Sequence, residues 1–400
     1  MKAIRTRMVA RSIHEPHRVS SPLELLFDLT FVVAISSLVV QLAHAVAAGH
    51  VAEAIGPFLM VFFAIWWAWN QFTWLASAYD TDDVLYRVFT MVQMGGVLVI
   101  AAGVPGAFAV GVENGQDFTA ITVGYLIMRA GLIATLVRAT REDPDSRPTS
   151  LRYVIGISVV QLGWLLRLLL IPNEYIVPAF ITLVAAELAV PVWADLSGHG
   201  LAWHPHHIAE RYGLFTIILL GESVLAVTVA VQESLVDGLT SPLVIVAVAG
   251  LVLLFTLWWL YFSEPAADGL VAHRDRAYLW GYGHVFIYAS LAAMGAGLEV
   301  AVQAVTLHVD ASPTLVGYAL AVPVALFVVL LWVLHAPIVE RVVIPPVGTV
   351  AAAVVVLLLP LASPAIGVIG VTLGITVVTV ALLVIALLSA HVRGLVPAVD

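Results

Sequence analysis

The chain has 400 residues, 62% hydrophobic and only 11% charged, with a formal charge of −9 and no cysteine. Soluble domains carry roughly 25% charged residues, so a chain this apolar could not cover its surface in water. A soluble enzyme, a nucleic-acid binder and a disordered chain are excluded, as are disulfides, thiolate metal sites and cysteine nucleophiles.

Lipid is the natural solvent for such a chain, and a membrane helix needs ~20 apolar residues. Residues 1–21 are basic and lack the apolar stretch and small-residue cleavage site of a signal peptide, so they read as a cytoplasmic N-terminal segment. Twelve apolar runs follow, near 22–48, 54–76, 86–110, 118–138, 151–171, 175–193, 208–231, 242–263, 278–306, 314–334, 346–362 and 366–390. They have the length of helices; barrel strands would be half as long and would alternate. Only Pro360, Ser363 and Pro364 divide the last two. The polar stretches at 138–152, 194–207 and 264–277 are too short to bury a core. The expected class is an all-α polytopic membrane protein of about twelve spans.

With twelve spans, fifteen of the 17 basic residues fall in the N-terminal segment or in loops on its side. They run from Lys2 through Arg18, Arg87, Arg138, Arg141, Arg147, Arg152, Arg211, Arg274 and Arg276 to Arg341 and Arg393. Arg129 and Arg167 lie inside spans. The positive-inside rule then puts both termini in the cytoplasm. The opposite loops hold acids such as Glu53, Asp117, Glu174 and Asp310.

The halves are alike. Glu24 matches Glu210, the pair Trp66-Trp67 matches Trp258-Trp259, and Gly124-Tyr125 matches Gly317-Tyr318, at offsets of 186, 192 and 193 residues. Such offsets predict two parallel six-helix repeats, 22–193 and 208–390, joined by a histidine-containing cytoplasmic linker at 194–207 and followed by a short tail at 391–400. The alternative is chance likeness among Leu-, Val- and Ala-rich segments.

The informative residues are the ionisable ones inside spans, each costing ~2.5–3.5 kcal/mol at mid-helix on insertion scales. In the first span Glu24 and Asp28 are four apart and share a face. Acids near a helix N-terminus favour the macrodipole, which suffices for Glu24 and is weaker for the deeper Asp28. In the seventh span His207 and Glu210 share a face three apart, as in carboxylate metal sites of bundles, or form an interfacial pair with Arg211. Glu222 lies mid-span between Gly221 and Ser223, and Gly221 is expected to admit a close backbone. In the ninth span His284 is a buried hydrogen-bonding group or a functional one, and Glu299 lies nearer the far end. Gly295 and Gly297 suit tight helix packing.

The loop Y-D-T-D-D-V-L-Y-R carries Asp80, Asp82, Asp83 and Arg87. These residues could hold Mg²⁺ and a phosphate, or form a solvated turn in which an aspartate caps the next helix.

The segments SPLELLFDLTFVVAIS (21–36), YDTDDVLYR (79–87), HHIAERYGLFTIILLGES (206–223) and GYGHVFIYASLAAMGAGLE (281–299) resemble the bacterial low temperature requirement A family. The resemblance implies a polytopic protein of the bacterial cytoplasmic membrane, named for a growth phenotype in the cold. It marks Glu24, Asp28, Asp82, Asp83, Arg87, His207, Glu210, Arg211, Glu222, His284 and Glu299. The leading expectation is a secondary transporter or ion pathway in which Asp28, Glu222, His284 and Glu299 bind a proton, cation or polar solute. The alternative is a membrane enzyme acting on a lipid or prenyl phosphate, with Mg²⁺ among Glu24, Asp80, Asp82, Asp83 and Glu210, and Arg87 and Arg211 on the phosphate. A structural protein whose buried charges merely pair, as Arg129 could with Glu187, is the third. The expected surroundings are the lipid bilayer and a small solute, ion or lipid, with no nucleic acid.

Overall fold

The computed structural model describes residues 4–13, 15, 18–109, 115–196, 200–234, 238–264, 266–306, 309–339 and 343–392. Lys2, Arg341, Arg393 and the tail beyond residue 392 lie outside the described residues. Thirteen α-helices and no strand occur among the described residues: α1 (Pro22–Ala47), α2 (Val51–Tyr79), α3 (Val84–Ala107), α4 (Thr119–Glu142), α5 (Arg147–Leu170), α6 (Ile176–Asp195), α7 (Pro205–Ser234), α8 (Ser241–Phe262), α9 (Ala266–Ala272), α10 (Ala277–Thr306), α11 (Pro313–His335), α12 (Pro346–Leu358) and α13 (Ser363–Val392). Among the described residues, eleven helical stretches are long and apolar enough to cross a bilayer. This is a multi-span helical membrane protein, because only a helix satisfies its own backbone in lipid without a closed barrel.

The sequence starts its helices with recognisable caps. Ser21-Pro22-Leu23-Glu24 is a capping box: Ser21 N–H donates to Glu24 Oε2 (2.8 Å) and Glu24 N–H to Ser21 Oγ (3.4 Å), with Pro22 in the first turn. The side chains of Asp83, Thr240 and Ser312 cap α3, α8 and α11.

The helices outrun the apolar runs at their polar ends. The stretch 138–152, expected as a loop, is helical except for four residues, since α4 continues to Glu142 and α5 resumes at Arg147. Hydrophobic periodicity registers only the part of a helix that lies in hydrocarbon. Past it, Arg138 and Glu142 pair one turn apart, and Arg147 Nε donates to Thr140 O (2.9 Å) across the connection. The stretch 264–277 likewise contains α9 and one 3₁₀ turn.

The run Pro346–Val392 is continuous by hydropathy but not by geometry. It passes through a 3₁₀ segment at Leu359–Ala362, and Gly367 has a φ of +66°. A left-handed backbone there is open to glycine at no steric cost. Helix α12 alone, at 13 residues, is ~20 Å long.

The chain groups into two compact units, residues 1–37 with 60–211, and 38–59 with 212–400. In the first, α3 packs on α4, α4 on α5 and α5 on α6. The α3–α4 contact is backbone to backbone: a Cβ on Gly96 would stand 2.5 Å from Gly124 O, and one on Gly124 2.6 Å from Gly96 O. In the second, α10 packs on α11, α8 on α13, and α11 on α12. There Gly297 lies against α11, where a Cβ would come 2.4 Å from Ala319 O, and Gly295 lies against Ser223 of α7. Gly221 has nothing within 4 Å of a would-be Cβ. The expected close approach on α7 therefore occurs two residues further, at Ser223, where the helix turns that face to α10.

Candidate functional site

The richest cluster of buried charge lies in the first unit, at the start of α1, the end of α2 and the start of α7. Each element is anchored there by local chemistry. The capping box sets Glu24. Helix α7 is held against the end of α2 by His204 N–H, which donates to Ser77 Oγ (2.9 Å), and by the Trp74–Trp203 edge contact at 5.1 Å. Glu24, Asp28, His207 and Arg211 are all buried.

Arg211 serves two carboxylates. Its Nη2 donates to Asp28 Oδ1 (2.5 Å), and its Nη1 lies 3.5 Å from Glu24 Oε2. Trp69 Nε1 also donates to Asp28 Oδ1 (2.8 Å). Glu24 takes Arg18 Nη2 on Oε1 (3.1 Å) and faces His207 Nε2 through Oε2 (3.1 Å). A carboxylate only accepts, so Nε2 of His207 carries the hydrogen, and in the neutral ring Nδ1 offers a lone pair. Arg18 also reaches Asp80 (3.7 Å), and Arg11 stands 4.0 Å from it. Asp80 follows the last residue of α2. Burial first, then the neighbouring Glu24, pushes its carboxyl above the usual range.

With Arg11 counted beside its own partner Glu15, four carboxylates (Glu15, Glu24, Asp28, Asp80) thus share three guanidinium groups (Arg11, Arg18, Arg211). Three acceptors of the cluster are buried without a hydrogen-bond partner, Asp28 Oδ2, Asp80 Oδ1 and His207 Nδ1, beside three donors in the same state, Arg18 Nε, Arg211 Nε and Arg211 Nη1. The cluster lacks one positive charge and holds several sites for a proton.

The other aspartates of the acidic loop are used differently. Asp82, at φ +47°, accepts Arg87 Nε (2.8 Å). Asp83 caps α3 through Tyr86 N–H (3.0 Å), receives Thr6 N–H (2.8 Å), and forms two bonds with Arg138 (2.8 and 2.5 Å). Burial pushes the Asp83 carboxyl up, but Arg138 and the two N–H groups outweigh it and hold it at about 2. The loop is therefore a set of separate ion pairs. Among the described residues no group of three or more His, Asp or Glu is arranged to hold a metal. Glu210 faces Ser20 N–H (3.3 Å), and His207 faces Glu24, so the same-face pairing expected of His207 and Glu210 is not how either is used.

A second buried carboxylate in this unit is saturated. Glu187 accepts from Trp67 Nε1, Tyr125 OH and Gln161 Nε2 (each 2.9 Å), Trp164 Nε1 (3.2 Å) and Arg129 (3.4 Å). Five donors on one carboxylate leave no room for a proton or a cation. The expected Arg129–Glu187 pair exists, and its surroundings are structural.

Glu222, His284 and Glu299 belong to the second unit, and all are buried. Glu222 precedes Ser223, whose Oγ faces Gly295; Glu299 lies one turn beyond Gly295 and accepts Gln303 Nε2 (3.3 Å). The two carboxylates thus flank one α7–α10 contact. His284 Nδ1 donates to Trp280 O (2.6 Å), so Nε2 accepts Tyr261 OH (3.2 Å) in the neutral ring. His335 lies 5.9 Å away, ring to ring. His284 is a packed hydrogen-bonding group.

Sequence reasoning missed Arg18, Trp69, Asp143, Glu142, Gln161 and His335. Arg18 reads as one more positive-inside charge, and Gln161 as an isolated polar residue in an apolar run. Nothing local marks Glu142 and Asp143, which accept Met8 N–H (2.6 Å) and Ala10 N–H (3.0 Å) from the N-terminal segment.

The family model for the bacterial low temperature requirement A protein (LtrA) matches residues 19–388. An uncharacterized protein of Rhizobium meliloti (strain 1021) is 29% identical over 284 residues, 67% of this chain and 66% of that protein, so the chain spans just under two thirds of the relative's length. No solved structure matches the chain.

Proposed function

The chain belongs to the bacterial low temperature requirement A protein (LtrA) family, and on that premise we propose that it is a secondary transporter or ion pathway of the bacterial cytoplasmic membrane that exchanges a proton at the Glu24–Asp28–Asp80 cluster. The observation that carries this reading is the charge imbalance with vacant acceptors. Buried groups kept only for architecture are paired and saturated, as Glu187 is. A buried cluster one cation short, with three acceptors lacking partners, is neutral only with a proton bound. Intramembrane ionisable groups of this kind mark proton and ion pathways. Glu222 and Glu299, buried carboxylates of the second unit, are further candidates for proton binding.

The proposed topology is twelve spans in two parallel six-helix repeats with both termini cytoplasmic. The basic residues support it, and the break between α12 and α13 supports two spans over Pro346–Val392. In this frame Glu24, Asp28, Asp80 and His207 sit toward the cytoplasmic face.

The test uses the full chain in liposomes with an internal pH dye. A potassium gradient with valinomycin drives protons in the absence and presence of a panel of solutes. Wild-type protein is expected to carry protons, and Asp28→Asn to lower the rate at least tenfold. Unchanged flux in Asp28→Asn, Glu222→Gln and Glu299→Gln alike would overturn the proposal.

A further inference from the structure

Four arginines lie within membrane-spanning helices of the first unit and are nearly fully buried: Arg129, Arg138, Arg167 and Arg211. Arg129, Arg138 and Arg211 each have a carboxylate within 3.5 Å. Arg167 has none among the described residues. It is 6% exposed, its Nη2 is buried without a hydrogen-bond partner, and its guanidinium lies 5.9 Å from the Phe118 ring.

Arg167 lines a cavity whose walls are aromatic, formed with Phe63, Phe118, Tyr125, Trp164 and Phe180. The rings brace one another edge to face, Phe63–Phe180 at 5.9 Å and Trp164–Phe180 at 5.6 Å. The polar tips of Tyr125 and Trp164 are committed to Glu187, and Thr122 Oγ1 donates to Phe118 O (2.9 Å). Arg167 is therefore the donor left to the pocket. Its place in the last turn of α5 adds the negative end of the helix dipole, which favours the cation there but supplies no ligand. By chain order this end of α5 is opposite to the end where the other arginines collect.

We propose that Arg167 and this aromatic pocket bind the anionic group of an amphiphile, with the carboxylate or phosphate on the guanidinium and the apolar body across the rings. A guanidinium presents paired donors matched to a carboxylate or phosphate, and a site without acceptors rejects cations and neutral sugars. The pocket is open at its mouth, and its inner space of about 40 Å³ has room for on the order of three waters, the size of a carboxylate or phosphate group and too small for a chain, so the rest of the amphiphile leaves through the mouth. The same anionic chemistry is offered by a free fatty acid and by an anionic phospholipid.

Native mass spectrometry of the detergent-solubilised full chain distinguishes them, with palmitate, phosphatidylglycerol and phosphatidylcholine supplied separately at equal concentration. Wild-type protein is expected to hold one equivalent of palmitate or phosphatidylglycerol, and the stronger of the two names the source. Arg167→Gln is expected to weaken that binding at least tenfold, with partial recovery in Arg167→Lys. Phosphatidylcholine held as well as the anions, or binding unchanged in Arg167→Gln, overturns the site. Displacement by inorganic phosphate at the same concentration overturns the amphiphile, since the rings would then contribute nothing. Ala64→Phe fills the pocket and keeps the charge; it decides the matter if Arg167→Gln is not monodisperse, and undiminished binding in it counts against the proposal.

Discussion

Arg211 and Asp28 show what a buried charge does when its partners come from distant parts of the chain. Removing one partner of a buried pair leaves the other uncompensated, at a cost of about 3–5 kcal/mol. Arg211→Gln is therefore expected to lower thermal stability by that order, because Asp28 loses its cation and Glu24 loses one of its two. Asp28→Asn in the same chain should restore part of the loss, with a coupling of about 0.5–3 kcal/mol. Thermal unfolding of the two single variants and the double variant measures this, and strictly additive losses would show that the pair is not coupled.

Asp83 gives a pH expectation with a definite sign. Its carboxyl is held at about 2 in the folded chain against an ordinary value of 3.8, so its contribution is complete above 3.8 and is lost as pH falls through about 2. The N-terminal segment it grips through Thr6 should stay docked at pH 5 and release in strong acid. Asp83→Ala should release it at neutral pH, read as faster amide exchange at Thr6, Met8 and Ala10. Asp83→Asn should behave in between, since an asparagine still caps α3 but no longer pairs with Arg138.

At the scale of elements, the glycines separate into those that a neighbour requires and those that none does. Gly124 faces the backbone of α3 so closely that any Cβ forces α3 and α4 apart. Gly124→Val is expected to cost about 1–3 kcal/mol or more as overpacking, seen as a fall in unfolding temperature. Gly221 meets nothing, so Gly221→Ala should be neutral or stabilising by about 0.5–1 kcal/mol, the ordinary gain at a helix interior. Equal losses at both positions would mean that close backbone approach does not hold these helices.

Elements were legible wherever the cause was local. Ser21-Pro22-Leu23-Glu24 and Asp83 announce helix starts, and the apolar runs locate the helices to within a few residues. The helical extension through Arg138–Glu142 was not legible, because polar residues outside hydrocarbon look alike in helix and loop. The Trp66-Trp67 and Trp258-Trp259 pairs also part company in the fold: the first is buried, and the second is about half exposed at 44% and 49%. A shared dipeptide does not report its surroundings.

At the scale of the molecule, the proposed topology can be tested directly, since a chain without cysteine gives no labelling background. Single cysteines placed by Gln116→Cys and Leu361→Cys should react with an impermeant maleimide from outside intact cells, and one placed by Asp145→Cys only after permeabilisation. Labelling of Leu361→Cys from inside would make Pro346–Val392 a single crossing and leave eleven spans.

Composition and hydropathy alone determined that this is a membrane protein, which stretches are helical, and which ionisable residues are costly enough to need a reason. Those are properties of the solvent and of neighbours in sequence. Which reason each residue has was decided only by tertiary structure. Glu24 meets Arg211, Asp83 meets Arg138 and Glu187 meets Trp67 across separations of 187, 55 and 120 residues. Electrostatic energy depends on distance in space, and no periodicity in a sequence encodes it. The fold therefore tells the saturated carboxylate at Glu187 from the unbalanced cluster at Asp28, and leaves Arg167 facing a pocket.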